Sequence, residues 1–332
     1  MTVEAAPWPS TFPSYVASWY RWSMDSDATD AGIRNELARV LAIVEVVTER
    51  PDHHAETSSD LAADEARFPD IWAATVARRG LVHAAENFEA ACLLMLNGDW
   101  TAPQYALLRA AYESAGAATW LLQPGDIDTR LARLLWQHRE SWRYSTKAYG
   151  GTPLDHDREE RQRWADDAAA RLGIDLRAGR SGGFENLIEE IDDLPGQPES
   201  LLTAWRLCSG VSHGKTWALN EVTTEIGSVE IYEHGRISQR TPNRELFLTD
   251  LSVARRAVQQ VWGWYRIRTT TRPHELTMRL ELRGRDGAFA CGDRQSASTS
   301  DFKSTLARLP RPAARGGTSH GGGTGGGTRN SR

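Results

Sequence analysis

The sequence of 332 residues has little cysteine, no long apolar run and none of the short motifs of common hydrolases. Its three cysteines form no CxxC pair, which argues against a disulfide scaffold. The first residues lack the basic and apolar segments of a signal peptide. The longest apolar run, Ala90–Leu96, is far shorter than the roughly 20 residues that cross a bilayer. We therefore expect a cytoplasmic protein without a membrane segment.

Charge divides the chain into an acidic body and a basic tail. Residues 1–271 carry 28 basic and 39 acidic side chains, whereas residues 272–332 carry 11 and 5. The tail is rich in glycine and has almost no periodic apolar pattern, so it cannot bury enough surface to offset the entropy of ordering. We predict an N-terminal extension over 1–27, one helical domain over 28–271 and a disordered tail over 272–332.

Apolar residues within the predicted domain repeat at helical spacing in most segments. Pro103 suits the first turn of a helix, and either Asp126 or Asp128 suits the N-cap of the next one. Glu233-His234-Gly235 separates two β-branched segments as a hairpin turn would. The fold class is therefore mainly α, an antiparallel helical bundle with a small β-hairpin insert at about 217–238. The predicted helices are 30–50, 71–96, 103–122, 126–149, 157–172, 184–192, 199–213 and 246–267, with 71–96 and 103–122 antiparallel.

The segment AWRLCSGVSHGKTW holds the residues that are best placed for chemistry. Arg206 and His213 are seven positions apart, so both lie on nearly the same face of a helix and can converge on one anion. Gly214 ends that helix and leaves His213 in the last turn, where the helix dipole favours imidazolium. A histidine can shuttle protons, while an arginine holds a phosphate oxygen and stabilises the charge that builds on phosphorus.

With Arg206, six intervening residues and His213, the chain resembles the HEPN superfamily (higher eukaryote and prokaryote nucleotide-binding). LLRAAYESAG, with Arg109 and Glu113, followed by RLCSGVSHG, is similar to a bacterial helical family of unknown function related to HEPN; the resemblance spans about residues 70–270. The chain departs from the family pattern at two positions, since Leu207 follows the arginine where many active members have a polar residue. Lys215 stands two places after the histidine, where some have tyrosine.

This resemblance implies metal-independent RNA cleavage of the toxin or phage-defence type. His213 would handle the 2'-hydroxyl proton and Arg206 would bind the phosphate. It also implies a homodimer that shares the site, and an antitoxin as a candidate partner.

Two other interpretations use nearly the same residues. The Arg206–His213 pair can instead be structural, in a non-catalytic interaction module or a module that binds a nucleotide-like ligand. Ser209–Thr216 differs from the phosphate-binding loop GxxxxGK[ST] only at its first position, which would place Lys215 on phosphates and Thr216 on magnesium. Such a loop follows a buried strand, however, and here a helix precedes it.

Arg109 and Glu113 are one helical turn apart on a segment that is apolar on nearly every side. We expect this pair to be partly buried, with Arg206 or His213 as its partner.

The helix predicted at 126–149 carries basic residues interleaved with aromatic ones, a composition that can bind phosphates and stack bases. A solvated outer face is the alternative, and His138 on its apolar stripe is predicted to be a core residue. The candidate RNA-binding residues on this helix, together with Arg130, are Arg133, Arg139, Arg143 and Lys147.

The adjacent residues His53 and His54 lack the ligand spacing of a zinc site, so no metal or cofactor is predicted.

Overall fold

A computed structural model describes residues 23–48, 55–98, 100–153, 155, 158–233 and 235–271. The predictions for the basic tail, for His53-His54 and for most of the N-terminal extension lie outside these residues. The described chain is mainly helical with one two-stranded antiparallel hairpin, which confirms the predicted fold class. Its elements are α1 (Ser23–Thr48), α2 (Asp60–Arg67), α3 (Ala73–Asn97), α4 (Pro103–Leu122), α5 (Ile127–Tyr149), α6 (Arg158–Leu172), α7 (Phe184–Ile191), α8 (Leu201–Ser212), α9 (Thr216–Glu221), β1 (Thr223–Tyr232), β2 (Gly235–Pro242) and α10 (Arg244–Thr269).

Helix α4 is the centre of the bundle and packs against α3, α10, α8 and α7. It is antiparallel to α3, as predicted, and Gly80 of α3 lies so close that a Cβ there would be 3.0 Å from the Cβ of Ala118. Small residues at this crossing allow the two backbones to approach closely. The other side of α4 buries Tyr112, whose hydroxyl donates a hydrogen bond of 2.6 Å to the backbone carbonyl of Asp250 in α10.

Helix ends follow local signals where a cap is present. Pro103 starts α4, and the Asp126 carboxylate accepts from the backbone N–H of Thr129 at the start of α5, so Asp126 and not Asp128 is the N-cap of that helix. Two boundaries differ from the prediction. Helix α1 begins at Ser23, inside the predicted extension, and α2 occupies a segment where no helix was expected. The Ser59 hydroxyl caps α2 by accepting from the N–H of Ala62 at 3.2 Å.

The hairpin lies several residues later than the predicted 217–238. Thr216–Glu221 forms the short helix α9, and the strands run from Thr223 to Pro242. Packing explains the difference, because Gly210 of α8 lies so close to Ala218 that a Cβ there would be 2.8 Å from the alanine methyl. This tertiary contact adds to the local preference of Ala218, Leu219 and Glu221 for a helix, because Thr216 is the one β-branched residue of α9.

A buried ion pair joins α2 to α5. The Arg130 guanidinium donates to both carboxylate oxygens of Asp64, at 2.8 and 2.7 Å, and to the carbonyls of Pro124 and Gly125. The side chains of Arg130 and Asp64 are only 2% and 1% exposed. These contacts fix the turn between α4 and α5.

Two cysteines lie in the core, Cys92 on α3 and Cys208 on α8, and both are free thiols. Burial raises the pKa of each thiol above its ordinary value. Across the described ranges, no helix combines the length and the apolar character needed to span a membrane.

Candidate functional site

The C-terminus of α8 presents His213 to solvent. Gly214 adopts φ +64°, the left-handed conformation that favours glycine, and its N–H donates to the carbonyl of Val211 at 2.9 Å. The N–H of Lys215 donates to the carbonyl of Gly210 at 2.9 Å, which completes a Schellman motif. The helix was predicted to include His213 in its last turn; it ends at Ser212, so His213 is the C-cap residue of α8, and its side chain is exposed.

This histidine belongs to a cluster of four side chains from α4 and from α8 with its C-cap. Nη1 of Arg109 lies 3.1 Å from Nε2 of His213, and Nε of Arg109 donates to Glu113 at 2.8 Å. The indole N–H of Trp205 donates to the same Glu113 oxygen at 3.1 Å. The guanidinium carbon of Arg109 is 5.9 Å from the centroid of the Trp205 ring. The expected contact between the Arg109–Glu113 pair and His213 is therefore present.

This geometry fixes the form of the imidazole. Arginine has only donors, so Nε2 of His213 accepts from Arg109 and the ring carries its proton on Nδ1.

Arg206 is placed differently from the sequence expectation. Its Nε and Nη2 donate to one carboxylate oxygen of Glu185 on α7, at 3.0 and 2.8 Å, and both side chains are 53% exposed. The arginine that contacts His213 is Arg109, because α4 passes directly beside the end of α8. Arg206 lies on the outer surface, where an anionic ligand can displace Glu185 from its guanidinium.

The phosphate-loop interpretation does not agree with the backbone. Ser209–Ser212 form the last turn of α8, and Lys215 is the N-cap residue of the short helix α9. A buried strand, which such a loop must follow, is absent before this segment, since α8 precedes it. Lys215 is exposed beside the cluster, so it remains available to bind an anion.

The basic residues of α5 separate into a structural group and an exposed group. Arg130 is buried, and Arg133 donates to the Trp120 carbonyl and to Glu190 while its side chain is only 11% exposed. Arg133 is therefore mostly buried and paired with Glu190 of α7, which makes it less accessible to RNA than the basic residues of the exposed group. The exposed group consists of Arg139, which pairs with Asp166 and stacks on Trp136, Arg143, which pairs with Glu140, and Lys147, which lies over Tyr144.

His138 is a packing residue, as predicted. Its ring contacts those of Trp142 and Trp164. Burial and the nearby Arg79 lower the pKa of its imidazole.

A buried carboxyl lies in the core between α4, α8 and α10. Asp250 is 5% exposed, and burial raises its pKa to about 7. Its Oδ2 atom and the hydroxyl of Tyr105 are buried without a hydrogen-bond partner among the described residues. Sequence reasoning did not single out Asp250, Glu185 or Trp205, because the packing that surrounds each of them comes from helices distant in the chain.

The described residues contain no group of three or more His, Cys, Asp or Glu side chains that could hold a metal ion. No family model, curated protein or solved structure matches the chain.

Proposed function

We propose that the chain is an HEPN-like protein that cleaves RNA at the Arg109–His213 cluster without using a metal. The observation that carries this proposal is the contact of 3.1 Å between Nη1 of Arg109 and Nε2 of His213. It brings a phosphate-binding group and a proton acceptor together at an exposed helix end. This activity fits the biological role of a toxin or defence nuclease that an antitoxin partner restrains.

The chemistry follows from the donors of Arg109. An RNA phosphate that enters the cluster accepts the Nη1–H bond now directed at His213, and the released Nε2 is free to take the proton of the adjacent 2'-hydroxyl. The 2'-oxygen attacks phosphorus, the bond to the 5'-oxygen breaks, and water protonates the leaving oxygen. The products are a 2',3'-cyclic phosphate and a 5'-hydroxyl end.

Glu113 and Trp205 hold Arg109 in position during this exchange. Glu113 accepts from both Nε of Arg109 and the Trp205 indole, so it fixes the guanidinium from the side away from His213. Arg206 in the middle of α8 and Lys215 just beyond its C-terminus are both exposed and supply further positive charge for the RNA backbone. The exposed side chains Arg139, Arg143 and Lys147 are candidates for contacts with flanking nucleotides.

A second candidate function is binding of a nucleotide-like anion without catalysis. Its specific support is that Arg109 and Glu113 are only 26% and 19% exposed and are fixed by neighbours, which suits a rigid ligand pocket as well as a reaction site. In this function His213 and Arg109 hold a phosphate and no bond is broken.

The test incubates the purified chain with single-stranded RNA in EDTA, beside the variants His213→Gln and Arg109→Lys. His83→Gln on α3 is the matched control, because His83 is another exposed histidine and lies outside the cluster. We expect wild type and His83→Gln to release 2',3'-cyclic ends, and His213→Gln to be slower by at least about 100-fold. An RNA with 2'-deoxyribose at the cleaved position should resist cleavage.

Cleavage that requires a divalent metal, or that persists in His213→Gln, would contradict the nuclease proposal. Absence of cleavage together with nucleotide binding that is lost in Arg109→Lys and His213→Gln would favour the binding function. Thermal unfolding of each variant checks that the fold is retained.

A further inference from the structure

The short helix α9 carries a tryptophan at the surface beside the Arg109–His213 cluster. Trp217 is 55% exposed and follows His213 by four residues, whereas the next residue, Ala218, is completely buried. Helix α9 therefore packs on α8 through Ala218 and leaves the indole of Trp217 open to solvent. An indole in this position is an aromatic surface that a ligand of the cluster can reach.

A glycine of α8 determines where the indole lies. A Cβ added at Gly210 would be 2.9 Å from Cζ2 and 3.4 Å from Cε2 of Trp217. One edge of the indole is therefore in contact with the backbone of α8 at Gly210, and a side chain at this position would displace the ring. Because Trp217 remains 55% exposed, the contact holds the ring against α8 without covering it.

Helical spacing places this contact between two exposed residues of the candidate site. Arg206 precedes Gly210 by four positions and His213 follows it by three, so all three lie on one face of α8. At about 1.5 Å per residue, Arg206 lies about 6 Å along the axis on one side of Gly210 and His213 about 4.5 Å on the other. The indole of Trp217 therefore meets α8 between the arginine and the histidine.

Cationic groups lie on both sides of the indole. At one side, Arg109 directs Nη1 at His213 over 3.1 Å, and Lys215 is exposed. At the other side, Arg206 pairs with Glu185 at 2.8 Å, and both side chains of that pair are 53% exposed. A phosphate can replace the Glu185 carboxylate there, because an ion pair this exposed contributes little free energy. Two phosphates can thus bind with the indole between them.

A flat aromatic ring with a cation on either side matches the chemistry of an unpaired nucleotide. Nucleobases stack on aromatic side chains, and alanine substitution of such a ring lowers affinity by roughly 5- to 150-fold per base. The phosphates on either side of the same nucleotide can bind the arginines. A base within a duplex already stacks on its neighbours and pairs with the other strand, so it cannot reach the ring.

We propose that Trp217 stacks the base of an unpaired nucleotide whose phosphate binds at the Arg109–His213 contact, and that this stacking gives the site a preference for purines. A purine has the larger ring surface, and stacking strength is a source of such preferences. Trp205, the indole within the cluster, is only 8% exposed and cannot present a face to a base. The inference rests on the proposed function, because it takes the ligand to be a nucleic acid strand or a nucleotide.

Binding of oligomers that cannot be cleaved tests the stacking. Short single-stranded oligomers built on 2'-deoxyribose lack the hydroxyl that attacks phosphorus in the proposed reaction, so binding is measured without cleavage. Fluorescence anisotropy of end-labelled oligomers gives the dissociation constants for deoxyadenosine, for thymidine and for an abasic strand with the same number of phosphates. We expect the full chain to bind the deoxyadenosine strand at least about 10-fold more tightly than the abasic strand, with thymidine between the two.

Three variants separate stacking from the other contributions to binding. Trp217→Ala should bind all three strands with nearly the same dissociation constant, because the phosphate contacts remain. Trp217→Phe keeps an aromatic ring and should keep most of the preference for deoxyadenosine. Trp72→Ala is the matched control and should bind as the wild type does. Trp72 is 43% exposed at the start of α3, beside the end of α4, which is about 20 Å along α4 from Arg109.

The cycle formed by Trp217→Ala and removal of the bases isolates the stacking contribution. Equal losses of Trp217→Ala on the deoxyadenosine and abasic strands would overturn the proposal, as would a wild type that binds the two strands equally or binds neither. Thermal unfolding of each variant checks that the fold is retained.

Cleavage of RNA in EDTA is measured separately, so the two proposals can fail independently. A chain that stacks bases at Trp217 without cleaving RNA would contradict the nuclease proposal alone. A chain that cleaves RNA and shows no loss of base preference in Trp217→Ala would contradict the stacking proposal alone.

Discussion

Two arginine–carboxylate groups in this bundle have the same chemical composition and opposite surroundings. In the first, between α2 and α5, Arg130 directs three of its nitrogens at Asp64 and two backbone carbonyls, and both side chains are almost completely buried. In the second, at the end of α8, Arg109 and Glu113 remain 26% and 19% exposed, and one nitrogen of Arg109 is directed at a histidine on the surface. The first group can only support the fold, whereas the second can exchange partners with a ligand.

The largest expected effect comes from breaking the buried group. Arg130→Met keeps the apolar stem but leaves the Asp64 carboxylate buried without its cation, so the free energy of unfolding should fall by about 3–5 kcal/mol. Arg139→Met is the control on the same helix, because Arg139 is 40% exposed and its pair with Asp166 lies at the surface. Urea denaturation measures both variants. Equal losses in the two would contradict the difference described between the groups.

A second prediction concerns Asp250, a buried carboxyl for which the described residues supply no cation partner. Because burial raises the pKa of Asp250 to about 7 in the folded chain, the folded state binds a proton more tightly than the unfolded state between about pH 4 and pH 7. The contribution of this group to the free energy of unfolding therefore falls as pH rises through that range and is constant above it.

Asp250→Asn removes this titration while keeping the side-chain volume. The variant should gain stability relative to wild type between pH 5 and pH 8, by roughly 1–3 kcal/mol. Denaturation at several pH values measures the difference, with Asp166→Asn on the exposed face of α6 as the control. A wild-type-to-variant difference that does not change with pH would show that Asp250 does not titrate in this range.

The smallest expected effects on stability belong to the exposed cluster. Arg109→Ala should cost about 1 kcal/mol, because it leaves Glu113 with the Trp205 indole as a remaining donor. Arg206→Ala should change the free energy of unfolding by less than about 0.5 kcal/mol, since its pair with Glu185 is at the surface. Thermal unfolding at low and high salt compares the two. A loss as large as that of Arg130→Met would assign Arg109 to the structural group.

The sequence predicted those parts of the fold that depend on neighbours close in the chain. Pro103, Asp126 and Gly214 mark helix ends through their own backbone chemistry, and the structure has helix boundaries at each. Helix α2 is too short for apolar periodicity to be visible, and only the Ser59 cap signals it.

Parts of the site that depend on distant contacts were not predictable in the same way. Periodicity placed Arg109, Glu113 and His213 on suitable faces, and their contact followed from two helices packing side by side. Helical spacing gave no indication that Glu185 would pair with Arg206, or Glu190 with Arg133, because each partner comes from another helix.

The buried thiols of Cys92 and Cys208 allow local unfolding of the core to be followed by the rate of thiol alkylation. Thiol alkylation requires both access and a thiolate, and burial withholds both while the helices stay packed. Cys92 lies on α3 and Cys208 lies on α8, so their labelling rates report separately on the opening of two parts of one bundle. Within the described residues, two buried thiols can therefore report local unfolding, and one of them belongs to the helix that presents His213.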